Sequence, residues 1–271
     1  MASNRLALHT WSLDTTPLAE ILRVAQGTGW DAVELRRIDF TRAFNGGKTA
    51  RDVVDLVRGS GLPVAAVGVE SGWMFADGAE QRRLLQVFAE SCQWAAALRC
   101  ETVMSPVDRG RGSLDRGAAS IREVGDVAAK HGVRVALEFN SQAEQFNTLG
   151  RLREALALAG HPHCGLLLDT YHLQRSGGDA RALEDVAPEE IVYFQYSDVP
   201  RSGLEPGMVL DRLPPGQGSV PFREILRLLG SKGYRGYLSY EAPNPSAWAR
   251  NPEEVAREAL EATRALLAET R

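Results

Sequence analysis

The chain of 271 residues has 44% hydrophobic and 24% charged residues, which is typical of a globular protein with room for one large core. Its net charge of −4 argues against nucleic acid as a partner, because phosphates are bound by clustered Lys and Arg. The sequence holds no apolar stretch of about 18 residues, so we expect no membrane partner. Three cysteines without a zinc-type spacing and an N-terminus without signal-peptide features predict a cytoplasmic protein with free thiols.

A short apolar run followed by a longer amphipathic segment recurs along the chain. Each run is too short for a helix and almost continuously apolar, as expected of a parallel strand that is buried on both faces. The predicted strands are Leu6–Leu8, Ala32–Leu35, Val64–Val67, Thr102–Met104, Val133–Leu137, Cys164–Leu168, Ile191–Phe194 and Tyr237–Leu238.

The segments between these runs have helical periodicity. One apolar stripe is formed by Leu18, Ile21 and Leu22, which lie on one face of a helix with 3.6 residues per turn. Three helices are predicted to end at a left-handed glycine: Gly61, Gly132 and Gly233.

About eight strand–helix units predict a (β/α)8 TIM barrel, formed as a single domain by residues 1–271. The competing doubly wound sheet is disfavoured, because no glycine-rich nucleotide turn follows the first strand. One long irregular segment, Val199–Gly218, is predicted to be a functional or mobile loop.

Polar residues stand where the predicted strands end, which is where barrel enzymes have their active sites. The fifth strand ends at Glu138, the sixth at Asp169 with His172 just beyond, the seventh carries Gln195, and the eighth ends at Glu241. A buried carboxylate is costly unless it is paired or binds a metal, and three of them on one rim would repel one another. A divalent cation resolves that conflict, and oxygen ligands favour Mn²⁺ or Mg²⁺. The alternative is that these acids cap the following helices or pair with arginines.

The order of these polar residues resembles the pattern of the xylose-isomerase-like barrels. The pattern is Glu138, then Asp169-x-x-His172, then Gln195 three residues before Asp198, and finally Glu241. The resemblance covers nearly the whole chain and is best between residues 133 and 241, including PGQG and GYRGYLSYE. It implies that Glu138, Asp169, Gln195 and Glu241 hold one divalent metal, Mn²⁺ or Mg²⁺, with Co²⁺ and Zn²⁺ as further options. It also implies that Glu138 and Glu241 are the catalytic acid and base and that His172 contacts substrate.

The fourth ligand position departs from most sugar epimerases of that family, which carry His where this chain has Gln195. Glutamine there is similar to the branch of dehydroshikimate and inosose dehydratases. A shikimate-type substrate is disfavoured, because the loop after the third strand supplies no arginine to bind its carboxylate. The choice between these branches therefore stays open at this point.

Further residues on the same rim are candidates for substrate binding: His9, Glu70, Trp73, Arg201 and Arg212. All of them except Trp73 have an ordinary alternative. His9 is equally well explained as a rim histidine with satisfied hydrogen bonds. Glu34 and Arg36 could also reach the pocket, but for them and for Glu70 a salt bridge between neighbouring strand ends is the alternative. For the two loop arginines, a solvated side chain is the favoured alternative.

The resemblance implies an isomerase or epimerase that acts on a keto-sugar or related polyol through an enediolate. The alternative is a dehydratase of a cyclic keto acid or keto-inositol, because loss of a β-hydroxyl group follows from the same intermediate. The partner would be a small polyhydroxylated keto compound, and a homodimer or homotetramer is compatible with such a barrel. A DNA-repair endonuclease of the same superfamily is disfavoured by the few histidines and the negative charge. A non-catalytic barrel is the remaining alternative.

Overall fold

Eight parallel strands close into a barrel in a computed structural model that describes residues 4–270. Each strand pairs with the next in the chain, and the last pairs with the first. This confirms the predicted TIM barrel. The strands are β1 (Leu6–His9), β2 (Ala32–Leu35), β3 (Val64–Gly68), β4 (Thr102–Pro106), β5 (Arg134–Glu138), β6 (Cys164–Asp169), β7 (Ile191–Tyr196) and β8 (Leu238–Tyr240).

Helices cover the outside of the barrel. They are α1 (Leu18–Thr28), α2 (Arg37–Asn45), α3 (Ala50–Gly59), α4 (Gly78–Ala97), α5 (Leu114–Lys130), α6 (Leu149–Ala159), α7 (Thr170–Arg175), α8 (Phe222–Ser231), α9 (Pro245–Trp248) and α10 (Pro252–Glu269). Gly61, Gly132 and Gly233 have φ of 74°, 68° and 75° just beyond α3, α5 and α8, as predicted. No helix within residues 4–270 combines the length and apolar character needed to cross a membrane.

The hydrophobic core has two parts. Large aliphatic and aromatic side chains fill the space between the strands and the helices. Inside the barrel, small side chains such as Ala7, Ala32 and Ala136 leave a central space that Leu167 and Tyr193 fill. The barrel is therefore a packed scaffold, and open volume is left at its ends.

The strand register fixes which side chains meet at the C-terminal rim. Asp169 at the end of β6 lies opposite Gln195 of β7. Residues that face each other in a parallel pair point to the same side of the sheet. Since Tyr193, two residues before Gln195, points into the barrel, Gln195 and Asp169 both point inward at one level.

Candidate active site

Three buried carboxyl groups meet at the C-terminal end of the barrel. Glu138, Asp169 and Glu241 are only 5%, 1% and 5% exposed. Nη1 of Arg212 donates to Asp169 Oδ2 and to Glu241 Oε2, each over 2.8 Å. Nε2 of His172 lies 3.9 Å from Glu138 Oε1. Arg212 thus links two of the three strand-end carboxylates predicted from the sequence, Asp169 and Glu241, while Glu138 lies beside His172.

Arg212 belongs to the long loop after β7, which is held in place by Asp198. The Asp198 carboxylate accepts hydrogen bonds from the backbone N–H groups of Gly216, Gly218 and Val220, at 2.7–2.9 Å. Arg212 is 2% exposed, and its guanidinium carbon lies 4.3 Å from the ring centroid of Tyr171. Its side chain is therefore buried over the carboxylates, unlike the solvated arginine favoured from sequence.

Burial and mutual repulsion set the protonation of this cluster. Burial, followed by the charges of Asp169 and Glu241, raises the pKa of Glu138 well above its usual value. Burial also raises the pKa of Glu241 to about 7, although Arg212 opposes the shift. Burial also tends to raise the pKa of Asp169, but the positive charge of Arg212 and hydrogen bonds outweigh burial, so the pKa of Asp169 is lowered. One carboxyl group thus stays ionised beside two that can carry a proton near neutral pH.

A fourth carboxyl group, Glu34, lies inside the barrel with no exposed surface. The hydroxyl of Tyr193 donates to its Oε2 at 3.0 Å, and Nε2 of Gln195 donates to its Oε1 at 2.8 Å. Burial and the charge of Glu241 raise the pKa of Glu34 to about 8. Within the described residues no Arg or Lys pairs with Glu34; Arg36 pairs with Asp14 and Asp39 instead.

Two histidines border the cluster and are neutral at pH 7. Nε2 of His9 lies 3.3 Å from Glu241 Oε1 and 3.6 Å from Glu34 Oε1. Burial lowers the pKa of His172 to about 3, and burial also lowers the pKa of His9 well below its usual value. A neutral imidazole can donate a hydrogen bond to a substrate oxygen without adding charge to the site.

A cavity of about 830 Å³ opens above these groups, which is ample for a sugar-sized ligand. Its walls include His9, His172, Glu138, Glu241, Arg109 and Arg212. Arg109, in the loop after β4, was not singled out from the sequence. It lines the cavity, and no carboxylate of residues 4–270 forms an ion pair with it.

Three of the residues predicted to bind substrate are not part of the cavity walls. Glu70 is partly exposed and pairs with Arg83 at 3.0 Å. Trp73 is 2% exposed, and its indole Nε1 donates to Ser105 Oγ at 2.9 Å. Arg201 is exposed and lines a separate surface depression beside α8. Glu70 thus forms salt bridges with residues of α2 and α4 rather than with a strand end, and Trp73 is a buried packing residue.

Glu138, Asp169 and His172 together have the geometry of a divalent metal site, whereas Glu241, the other predicted carboxylate ligand, lies outside that group. Oxygen or nitrogen atoms of Glu138, Asp169 and His172 lie within 4.8 Å of one another. Within the described residues, Oε1 of Glu138 and Oε1 of Gln195 are buried without a hydrogen-bond partner. When ionised, three carboxylates beside one guanidinium leave two negative charges, which one divalent cation neutralises. The residues therefore fit a hard divalent ion.

The chain belongs to the xylose isomerase-like TIM barrel family, whose model matches residues 22–266. Among named relatives, an inosose isomerase of Halalkalibacterium halodurans is 24% identical over 93% of this chain and 92% of its own length. A 3-dehydroshikimate dehydratase of Pseudomonas putida is 30% identical over 56% of this chain, a match that spans 24% of the dehydratase. Together these matches identify the chain as an enzyme of this family.

A solved structure shares the fold closely. The crystal structure of the IolI protein with a bound zinc atom superposes with a TM-score of 0.89 and covers 98% of this chain and 99% of its own. The two sequences are 19% identical, so the likeness concerns the architecture.

Proposed function

We propose that this enzyme uses one divalent metal ion to isomerise or epimerise a keto-sugar or related polyol by moving a proton at the carbon beside a carbonyl group. The observation that carries the proposal is the pair of buried glutamates at the cavity. Glu138 ends β5, and Glu241 directly follows β8. Both have raised pKa values, and that of Glu241 is about 7. An acid–base group works best when its pKa lies near the working pH.

The metal would be held by Glu138, Asp169, Gln195 and Glu241, with Mn²⁺ or Mg²⁺ favoured by the oxygen ligands. When bound, it supplies charge that polarises the substrate carbonyl and stabilises negative charge as the proton leaves.

The protein groups divide the remaining work. Glu241 accepts the proton from carbon, and Glu138 returns a proton to the substrate. Arg212 holds Asp169 and Glu241 in place through its two 2.8 Å hydrogen bonds and faces the cavity with positive charge. His172, neutral because its pKa is about 3, donates to a substrate hydroxyl or carbonyl.

A second candidate function is dehydration of a cyclic keto acid or keto-inositol. The guanidinium of Arg109 lines the cavity without a carboxylate partner in the described chain, which suits a substrate that carries its own carboxylate. Gln195 at the fourth ligand position and the partial match to a 3-dehydroshikimate dehydratase support the same candidate.

Proton NMR in D₂O tests both candidates with Mn²⁺-loaded protein and a panel of ketoses, inososes and 3-dehydroshikimate. Isomerisation or epimerisation incorporates deuterium at the carbon beside the carbonyl without loss of water, whereas dehydration releases water and produces ultraviolet absorbance. Glu241→Gln is the matched control and should show neither. Wild-type protein that binds Mn²⁺ yet exchanges no proton of any substrate would contradict both candidates.

A further inference from the structure

Gln195 is connected through Glu34 to a buried network that reaches across the barrel. Nε2 of Gln195 donates to Glu34 Oε1 at 2.8 Å, and 161 positions separate the two residues. Both side chains have no exposed surface. The other oxygen of Glu34 accepts from the hydroxyl of Tyr193 at 3.0 Å.

This contact determines which way the amide of Gln195 faces. A glutamine amide has a donating and an accepting end, and the hydrogen bond from Nε2 to Glu34 Oε1 uses the donating end. Since Nε2 is used by Glu34, Oε1 is left facing the other side. That atom is buried and has no partner within residues 4–270, and Gln195 lies beside Asp169 in the β6–β7 register.

We infer that Glu34 is a positioning residue that presents the amide oxygen of Gln195 to the divalent metal. Metal-binding histidines commonly donate their second N–H to a carboxylate, which orients the ring. The Gln195 amide reproduces this arrangement with an oxygen ligand: one end faces the carboxylate cluster and the other donates to Glu34. The inference rests on the proposed function, because it assumes the metal site.

Mn²⁺ affinity of the purified full-length protein, measured by isothermal titration and by the electron paramagnetic resonance signal of free Mn²⁺, tests this role without an activity assay. Glu34→Met removes the acceptor at similar volume and is expected to weaken Mn²⁺ binding about 10–100-fold. Glu34→Gln keeps a carbonyl acceptor and should stay nearer to wild type. Tyr193→Phe, which leaves the Gln195–Glu34 hydrogen bond in place, is the matched control.

A double-mutant cycle with Gln195→Ala shows whether Glu34 acts through Gln195. Gln195→Ala should weaken Mn²⁺ binding, and adding Glu34→Met should then cause no further loss. If Glu34→Met weakens binding as much in the Gln195→Ala background as in wild type, the positioning role is wrong. If Gln195→Ala leaves affinity unchanged while Asp169→Asn abolishes binding, Gln195 is not a ligand, and the inference fails while the proposed function stands.

Wild-type protein that binds no Mn²⁺ would instead contradict the proposed function itself. Should Glu34→Met fold poorly, Glu34→Met combined with Tyr193→Phe gives the same test, because it leaves no buried hydroxyl unpaired beside the new methionine.

Discussion

Arg212 donates to Asp169 Oδ2 over 2.8 Å, although 43 positions separate a residue of an irregular loop from one at the end of a strand. The same nitrogen reaches Glu241 Oε2. A metal ion held by these carboxylates would share them with Arg212. The positive charge of Arg212 therefore holds the ligands in place, but it also repels the metal ion.

Replacing Arg212 should therefore move metal affinity and turnover in opposite directions. Arg212→Met removes a cation a few ångströms from the ligand oxygens, and we expect Mn²⁺ to bind roughly tenfold more tightly or better. Turnover should fall, because the carboxylates lose their fixed geometry. Isothermal titration and steady-state kinetics measure the two effects. Weaker Mn²⁺ binding by Arg212→Met would show that Arg212 mainly shapes the ligands.

Glu241→Gln tests the assignment of the base. The amide keeps an oxygen for the metal but cannot accept the proton, so turnover should fall by about 10²–10⁴-fold. Metal content, measured by mass spectrometry, should fall much less. Unchanged turnover in this variant would exclude Glu241 as an acid–base group.

Gln195→His offers a nitrogen ligand of the kind implied for the epimerase branch. The second ring nitrogen could donate to Glu34 as Nε2 of Gln195 does now, so we expect metal to remain bound. The ratio of dehydration to epimerisation should shift, as judged by products in D₂O. Loss of metal would mean that the space beside Glu34 cannot hold an imidazole in the ligand position. Gln195→Leu, which offers no ligand, is the control.

The long loop after β7 combines a fixed and an exposed part. Asp198 and Arg212 are buried, whereas residues 201–207 are exposed. Deleting residues 203–206 should change the melting temperature by no more than about 2 °C. It should raise KM or lower kcat if this segment covers the bound substrate. A large loss of stability would instead indicate that the segment is packed structure.

Much of the barrel could be predicted from the sequence because buried parallel strands produce continuous apolar runs. Ala32–Leu35 was predicted with the bounds that the structure has, whereas β8 extends to Tyr240 through Ser239. The ends of several strands were predicted too short, since the apolar pattern stops at the polar residue that begins the site. For the same reason, Glu138 and Asp169 were recognisable as strand-end carboxylates.

The remaining contacts of the site depend on distances that no local pattern encodes. The place of Arg212 follows from the backbone hydrogen bonds that Asp198 accepts from Gly216, Gly218 and Val220. The pairing of Glu34 with Gln195 crosses the inside of the barrel, and it is possible because neighbouring side chains such as Ala7 and Ala32 are small.

Glu34 should also make the stability of the metal-free protein depend on pH. Its pKa is raised from 4.5 to about 8 in the folded state, so between these values the folded protein holds a proton that the unfolded chain has lost. The stability associated with this proton is fully present below pH 4.5 and is lost as pH rises through about 8. Over this window the free energy of unfolding should fall by up to about 1.4 kcal/mol per pH unit from this one group.

Glu34→Gln isolates that contribution, because the amide resembles the protonated acid and does not titrate, while Glu241 and His172 are present in both proteins. In the presence of EDTA, urea unfolding of the two proteins should give equal free energies near pH 4.5. At pH 8 the Glu34→Gln protein should be the more stable one, and the difference should grow steadily between these limits. A difference that does not change with pH would show that Glu34 is ionised throughout, and that Tyr193 and Gln195 stabilise its charge more than burial destabilises it.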